Sequence, residues 1–174
     1  FSHEGGDTPD AIFRRSVLDL AVSQDGARRK AAMKIIWETA EGSGSDKLLA
    51  LTLLCRDSDL TAAEAGRALD LVSLMPEPAA PELRYAALAA VFRLAPERKE
   101  ALIQAESERT AKLPTKEQVT YLLFLANQQA PEAMHAFLTS YGQALAKERP
   151  ADFLSLELEA LAKAKDWEAV RLKL

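Results

Sequence analysis

The chain has 174 residues, 48% hydrophobic and 28% charged, a balance normal for a soluble globular domain with a core of its own. Only 6% is aromatic, and Ala and Leu carry the apolar content while Val and Ile are few, which favours packed helices over a sheet. A net charge of −4 disfavours a general grip on nucleic-acid phosphates, and the single cysteine, Cys55, excludes an intramolecular disulfide.

Residues 1–7 read as a flexible lead-in. Thr8 offers an N-cap and Pro9 suits the first turn, so a helix carrying Ile12, Phe13, Val17, Leu18 and Leu20 is predicted to about Ser23. Asp25-Gly26 breaks it. A second helix holds Ala31, Ala32, Ile35, Ile36 and Trp37, and stops at the flexible run Gly42-Ser43-Gly44-Ser45. Ser45 or Asp46 caps a third, apolar almost all round, in which Cys55 is expected as a buried thiol. Thr61-Ala62-Ala63-Glu64 is a capping box opening a fourth helix with Ala65, Ala68, Leu69, Leu71, Val72 and Leu74. Pro76, Pro78 and Pro81 then make a stiff connector, and 75–81 is the expected internal boundary.

Pro followed by Glu recurs at 81, 96 and 131, each time as a helix start. Proline lacks the N–H that a first-turn residue leaves unpaired, and the carboxylate meets the positive end of the helix dipole. A fifth helix runs through Ala86, Leu88, Val91 and Phe92, and a sixth through Ala101, Leu102 and Ile103 until Pro114. Thr115-Lys116-Glu117-Gln118 reads as a second capping box before Val119, Tyr121, Leu122, Phe124 and Leu125. An eighth helix spans Met134, Phe137, Leu138, Tyr141 and Leu145; a ninth starts at Pro150 with Phe153, Leu156, Leu158 and Leu161. Asp166-Trp167-Glu168 begins a tenth.

Ten helices joined by short turns pair into about five antiparallel hairpins. An Ala-centred motif returns every 32 to 36 residues, at Ala32, Ala65, Ala101, Ala133 and Ala169, which points to an all-α superhelix or solenoid over residues 8–174. Lys165-Asp166-Trp167-Glu168-Ala169-Val170, the large residues Phe153 and Leu156 before it, and Ala133 with Phe137 one interval earlier resemble the tetratricopeptide repeat, best over residues 82–174. The Gly of that repeat's first helix is missing throughout. Asp25-Gly26-Ala27-Arg28-Arg29-Lys30-Ala31-Ala32 and Pro81-Glu82-Leu83-Arg84-Tyr85-Ala86-Ala87-Leu88 are similar to a HEAT second helix, the rival reading. A plain helical bundle is the third.

Catalytic material is sparse. Glu132-x-x-His135 has the spacing of half a helical di-iron site, but the other histidine, His3, lies in the lead-in, so His135 is read as a partly exposed helix residue. No Gly-x-Ser-x-Gly elbow frames a serine, and no Lys-Ser/Thr pair follows the Gly42–Ser45 run to hold a phosphate. The carboxylates Glu106/Glu108 and Glu157/Glu159 sit two apart and so point to different helix faces. No catalytic residue, metal or cofactor is expected.

The resemblance implies a concave face lined by the first helix of each hairpin, here 9–22, 46–56, 82–94, 115–129 and 152–164, with a peptide or protein in its groove. The polar and aromatic residues on those helices, Arg14, Arg15, Arg84, Tyr85, Tyr121, Asn127 and Gln128, are the expected partner-binding set. A single asparagine argues against the clamp with which some tetratricopeptide domains hold chaperone C-termini, since that clamp uses two. Arg28-Arg29-Lys30 with Lys34 is a basic patch that could meet an acidic partner or a lipid surface, but reads first as the solvated face of the second helix.

The expected function is a non-catalytic scaffold binding a protein or peptide, another part of a longer chain included. Two alternatives stand beside it: an accessory domain of a larger enzyme, and a compact bundle with an apolar ligand pocket. A start at Phe1 and an end in helical sequence suggest a piece of a longer protein. No run of about 18 apolar residues occurs, so no membrane span is expected, and cytoplasmic and exported locations both stay open.

Overall fold

A computed structural model describes residues 8–75 and 81–174; the lead-in 1–7 and most of the proline connector lie outside the described residues. Among the described residues the chain is all-helical, without a strand. It divides into two compact units, Phe1–Pro96 and Glu97–Leu174. The connector 75–81, expected as the internal boundary, instead joins two helices of the first unit that pack on each other.

The first unit holds α1 (Pro9–Val22), α2 (Gly26–Glu41), α3 (Lys47–Arg56), α4 (Ala62–Ser73) and α5 (Pro81–Leu94). Consecutive helices pack in turn, and α3 also meets α5. Phe13, Ile36, Leu51, Leu54, Leu88 and Val91 fill the core, with Ala40, Ala50, Ala65, Ala68 and Ala87 buried between them. Those small side chains let helix backbones approach closely while the leucines interdigitate. Thr8 and Thr61 cap as expected, and Asp25, read only as a breaker, also caps α2; Asp46 takes the cap position of α3 without the expected side-chain hydrogen bond. Thr8 Oγ1 accepts from Ala11 N at 3.3 Å and Asp25 Oδ1 from Ala27 N at 2.9 Å. Thr61 and Glu64 form the full reciprocal box.

The second unit holds α6 (Lys99–Thr110), α7 (Thr115–Asn127), α8 (Pro131–Tyr141), α9 (Gln143–Glu148), α10 (Pro150–Lys163) and α11 (Trp167–Lys173). Three expectations change here. Pro96-Glu97 opens a single 3₁₀ turn, Pro96–Arg98, ahead of α6. The second capping box does not form, because Pro114 takes the cap position and Thr115 falls inside the helix, its hydroxyl donating to Glu148 Oε2 at 3.0 Å. The eighth helix is two, α8 and α9, broken at Gly142. A Cβ there would lie 2.8 Å from Phe153 Cε2 and overlap the Leu138 carbonyl, so only glycine lets α10 approach this break.

The turns after α7 and after α10 are the same turn. Ala130 N bonds back to Leu125 O (3.1 Å) and Gln129 N to Ala126 O (3.2 Å); Asp166 N bonds to Leu161 O (2.9 Å) and Lys165 N to Ala162 O (3.0 Å). These are Schellman pairs, and each needs a left-handed residue, supplied here by Gln129 and Lys165. Between them Tyr121, Phe137, Met134, Leu125 and Leu145 build the core, the Tyr121 and Phe137 rings meeting edge-on at 5.5 Å.

Candidate functional site

An open groove of about 810 Å³ lies in the first unit. One wall is α2. Ala27, Lys30, Ala31, Lys34 and Trp37 recur on it at helical spacing, so they share one face, and Met33 lies beside them. The other wall is Asp57, Asp59 and Leu60 of the α3–α4 connection with Glu64 in the first turn of α4. Leu20, near the end of α1, closes the lining.

The acidic wall is held in place from behind. Arg93 of α5 donates to the Asp57 carbonyl at 3.2 Å, and Asp57 Oδ1 accepts from the Asp59 N–H at 3.2 Å. Glu64 is oriented by its cap: its Oε2 accepts from Thr61 N at 2.9 Å and from the Thr61 hydroxyl at 2.6 Å. Those hydrogen bonds stabilise the charged form of Glu64 and hold its carboxyl below the ordinary range. Arg29 ties the walls together, donating to the Leu20 carbonyl and sitting 3.7 Å from Asp59 Oδ2.

Leu60 and Trp37 lie almost wholly buried at the back of the groove, and the guanidinium of Arg67, ion-paired with Glu41, stands 4.6 Å from the Trp37 ring centroid. This stacking supports the ring from α4. Lys30 and Lys34 are exposed on the basic wall, Lys34 within 3.8 Å of Glu38 one turn on. Such an exposed i,i+4 pair is worth only about 0.3–0.5 kcal/mol, so it yields readily to a ligand carboxylate. A smaller concavity of about 420 Å³ lies between Pro9, Ile12 and Phe13 of α1 and Ile35, Glu38 and Thr39 of α2.

None of the seven expected partner-binding residues lines either concavity. Arg14 and Arg15 are exposed on α1. Arg84 donates to Ser73 Oγ at 3.2 Å. Tyr85 is buried, and Tyr121 is wholly so. The Tyr121 hydroxyl donates to the Ile103 carbonyl at 3.0 Å and meets Ser107 Oγ at 2.9 Å, tying α6 to α7. Both tyrosines are therefore core residues and not part of an exposed binding face. Asn127 is exposed at the end of α7, and the Gln128 carbonyl accepts from Lys99 Nζ at 3.2 Å. The basic patch carries the overlooked signal: Arg29, Lys30 and Lys34 face the groove, with small Ala27 and Ala31 between them.

Cys55 is buried, as expected, and burial pushes its thiol up to about 11, so it is protonated at neutral pH. Glu132 and His135 are both exposed on α8. Among the described residues no group of three or more His, Cys, Asp or Glu is placed to hold a metal ion, and no helix is long and apolar enough to cross a membrane. Comparison with models of protein families, with curated proteins and with solved structures finds no match in any of the three, so the functional reading rests on the residues themselves.

Proposed function

We propose that the chain is a non-catalytic interaction module, a stack of helical hairpins of the tetratricopeptide-like or HEAT-like kind, that docks a peptide or protein segment in the groove along α2. The observation that carries this reading is the groove itself, open, lined by small and apolar residues of α2 between a basic wall and an acidic wall that Arg93 and Thr61 brace. The repeat reading draws support from the second unit. Its two Schellman turns fall at Gln129 and Lys165, the same interval apart as Ala133 and Ala169.

The groove lies on α2, the second helix of its hairpin, rather than on the first helices that family resemblance favours. Selection of peptides from a displayed library, followed by hydrogen exchange on the complex, tests the assignment. Protection is expected over residues 27–37 and 57–64. Protection confined to α1, or to the second unit, would sink it.

A further inference from the structure

We propose that the groove is sorted by charge and takes an amphipathic helical segment with an apolar stripe, one acidic edge and one basic edge; this deepens the docking reading above and rests on it. The two walls carry opposite signs. Lys30 and Lys34 stand one turn apart on α2, and Asp57 and Glu64 face the groove from the other side. Between them the accessible apolar lining is Ala27, Ala31 and Met33 of α2, with Trp37 and Leu60 almost wholly buried beneath and Arg29 reaching across to within 3.7 Å of Asp59 Oδ2.

From Ala27 to Trp37 the α2 wall extends about 15 Å, the length of a helix of roughly three turns. Such a helix laid in the groove presents its two flanks to the two walls. A flank of carboxylates meets Lys30 and Lys34, and a flank of lysines meets Asp57 and Glu64. A helix acidic on both flanks sets like charges against the Asp57–Glu64 wall, and one basic on both flanks does the same against α2. Like-charge juxtaposition at an interface is a strong element of specificity. Glu64 cannot swing away to relieve it, because two hydrogen bonds from Thr61 fix its carboxylate.

The test uses three fluorescein-labelled helical peptides, stapled because helices this short are marginal in water. Each carries the same leucine stripe; one has a glutamate flank and a lysine flank, one is glutamate on both, one is lysine on both. Anisotropy titrations at low salt are expected to rank the mixed peptide tightest, by about tenfold, the equivalent of about 1.4 kcal/mol. The double variant Lys30→Glu with Lys34→Glu is expected to transfer first place to the all-lysine peptide. Both positions are exposed, so the variant keeps its fold, checked by circular dichroism. Lys112→Glu with Lys116→Glu, exposed in the second unit and absent from the groove lining, should leave the ranking unchanged.

Equal affinities for the three peptides, or a ranking untouched by the double reversal, would overturn the charge sorting. The docking reading is tested separately by Ala31→Trp, which fills the groove from an exposed position on α2. Loss of binding in that variant supports docking whatever the ranking. Binding that survives it, or no binding by any peptide, overturns docking itself.

Discussion

Gln129 and Lys165 hold φ of 51° and 63°, a conformation that costs an L side chain about 1–2 kcal/mol. Each closes a Schellman turn where glycine is the usual choice. Replacing either by glycine removes that cost, and the added freedom of the unfolded chain returns about 0.5–1 kcal/mol of it. Gln129→Gly and Lys165→Gly are each expected to raise stability by roughly 0.5 kcal/mol in urea denaturation. Gly142 is the reverse case. Gly142→Ala places a methyl against the Phe153 ring and the Leu138 carbonyl and is expected to cost about 2 kcal/mol, within the usual range for overpacking. Cys55 gives a chemical readout. With its thiol at about 11, the folded chain should not react with Ellman's reagent at pH 8, and the unfolded chain should react at once. Because the folded state holds this proton more tightly than an unfolded thiol near 8.5, the group's contribution to stability is complete below that value and is lost as pH climbs towards 11.

At the scale of the element, helix starts were the most legible part of the chain. Thr8 and Thr61 each accept the backbone hydrogen bond that their side chains suggest, Asp166 opens α11, and Pro81, Pro131 and Pro150 each open a helix; the cap expected of Ser45 or Asp46 does not form through a side chain. These signals are local, so tertiary packing has little scope to override them. The misreadings came where two local signals competed. Pro114 and Thr115 both bid for one cap, and the φ of proline suits the extended cap residue as well as the first turn. The break at Gly142 depends on Phe153, which no local pattern relates to it. The Thr61 box is also the most direct target for pH. Thr61→Ala should cost about 1 kcal/mol at pH 7. Hydrogen bonds from Thr61 hold the Glu64 carboxyl low, so its share of the stability is present above the unfolded value near 4.3 and fades as pH falls through the lower folded one. The difference between wild type and variant should therefore shrink in acid, as thermal melts at pH 7 and pH 3 would show.

On the scale of the molecule, composition alone predicts helices, and among the described residues every regular element is a helix. The division into units was not legible. The prolines at 76, 78 and 81 suggest a boundary in sequence, and 76–80 lie outside the described residues, yet α4 and α5 pack on each other within one unit. A run of prolines is a local signal, whereas a boundary depends on which helices share buried side chains. Two members of the expected binding set, Tyr85 and Tyr121, are buried for a related reason: a tyrosine whose ring is core, such as Tyr121 with its hydroxyl on the Ile103 carbonyl, is indistinguishable in sequence from one on a groove. The basic run at Arg28 to Lys34 was visible; its acidic counterpart, Asp57 to Glu64, became its neighbour only through the fold.

The two tryptophans fall in different units and in opposite surroundings. Trp37 is 8% exposed beneath Arg67, and Trp167 is 63% exposed at the start of α11. The chain thus carries two native optical reporters, one emitting from an apolar site and one from water. Acrylamide should quench the red-emitting Trp167 first and leave the blue component of Trp37 behind. In Trp167→Phe the remaining emission belongs to the first unit alone, and in Trp37→Phe to the second. Denaturation curves of these two variants would reveal whether the units melt as one cooperative body or in succession.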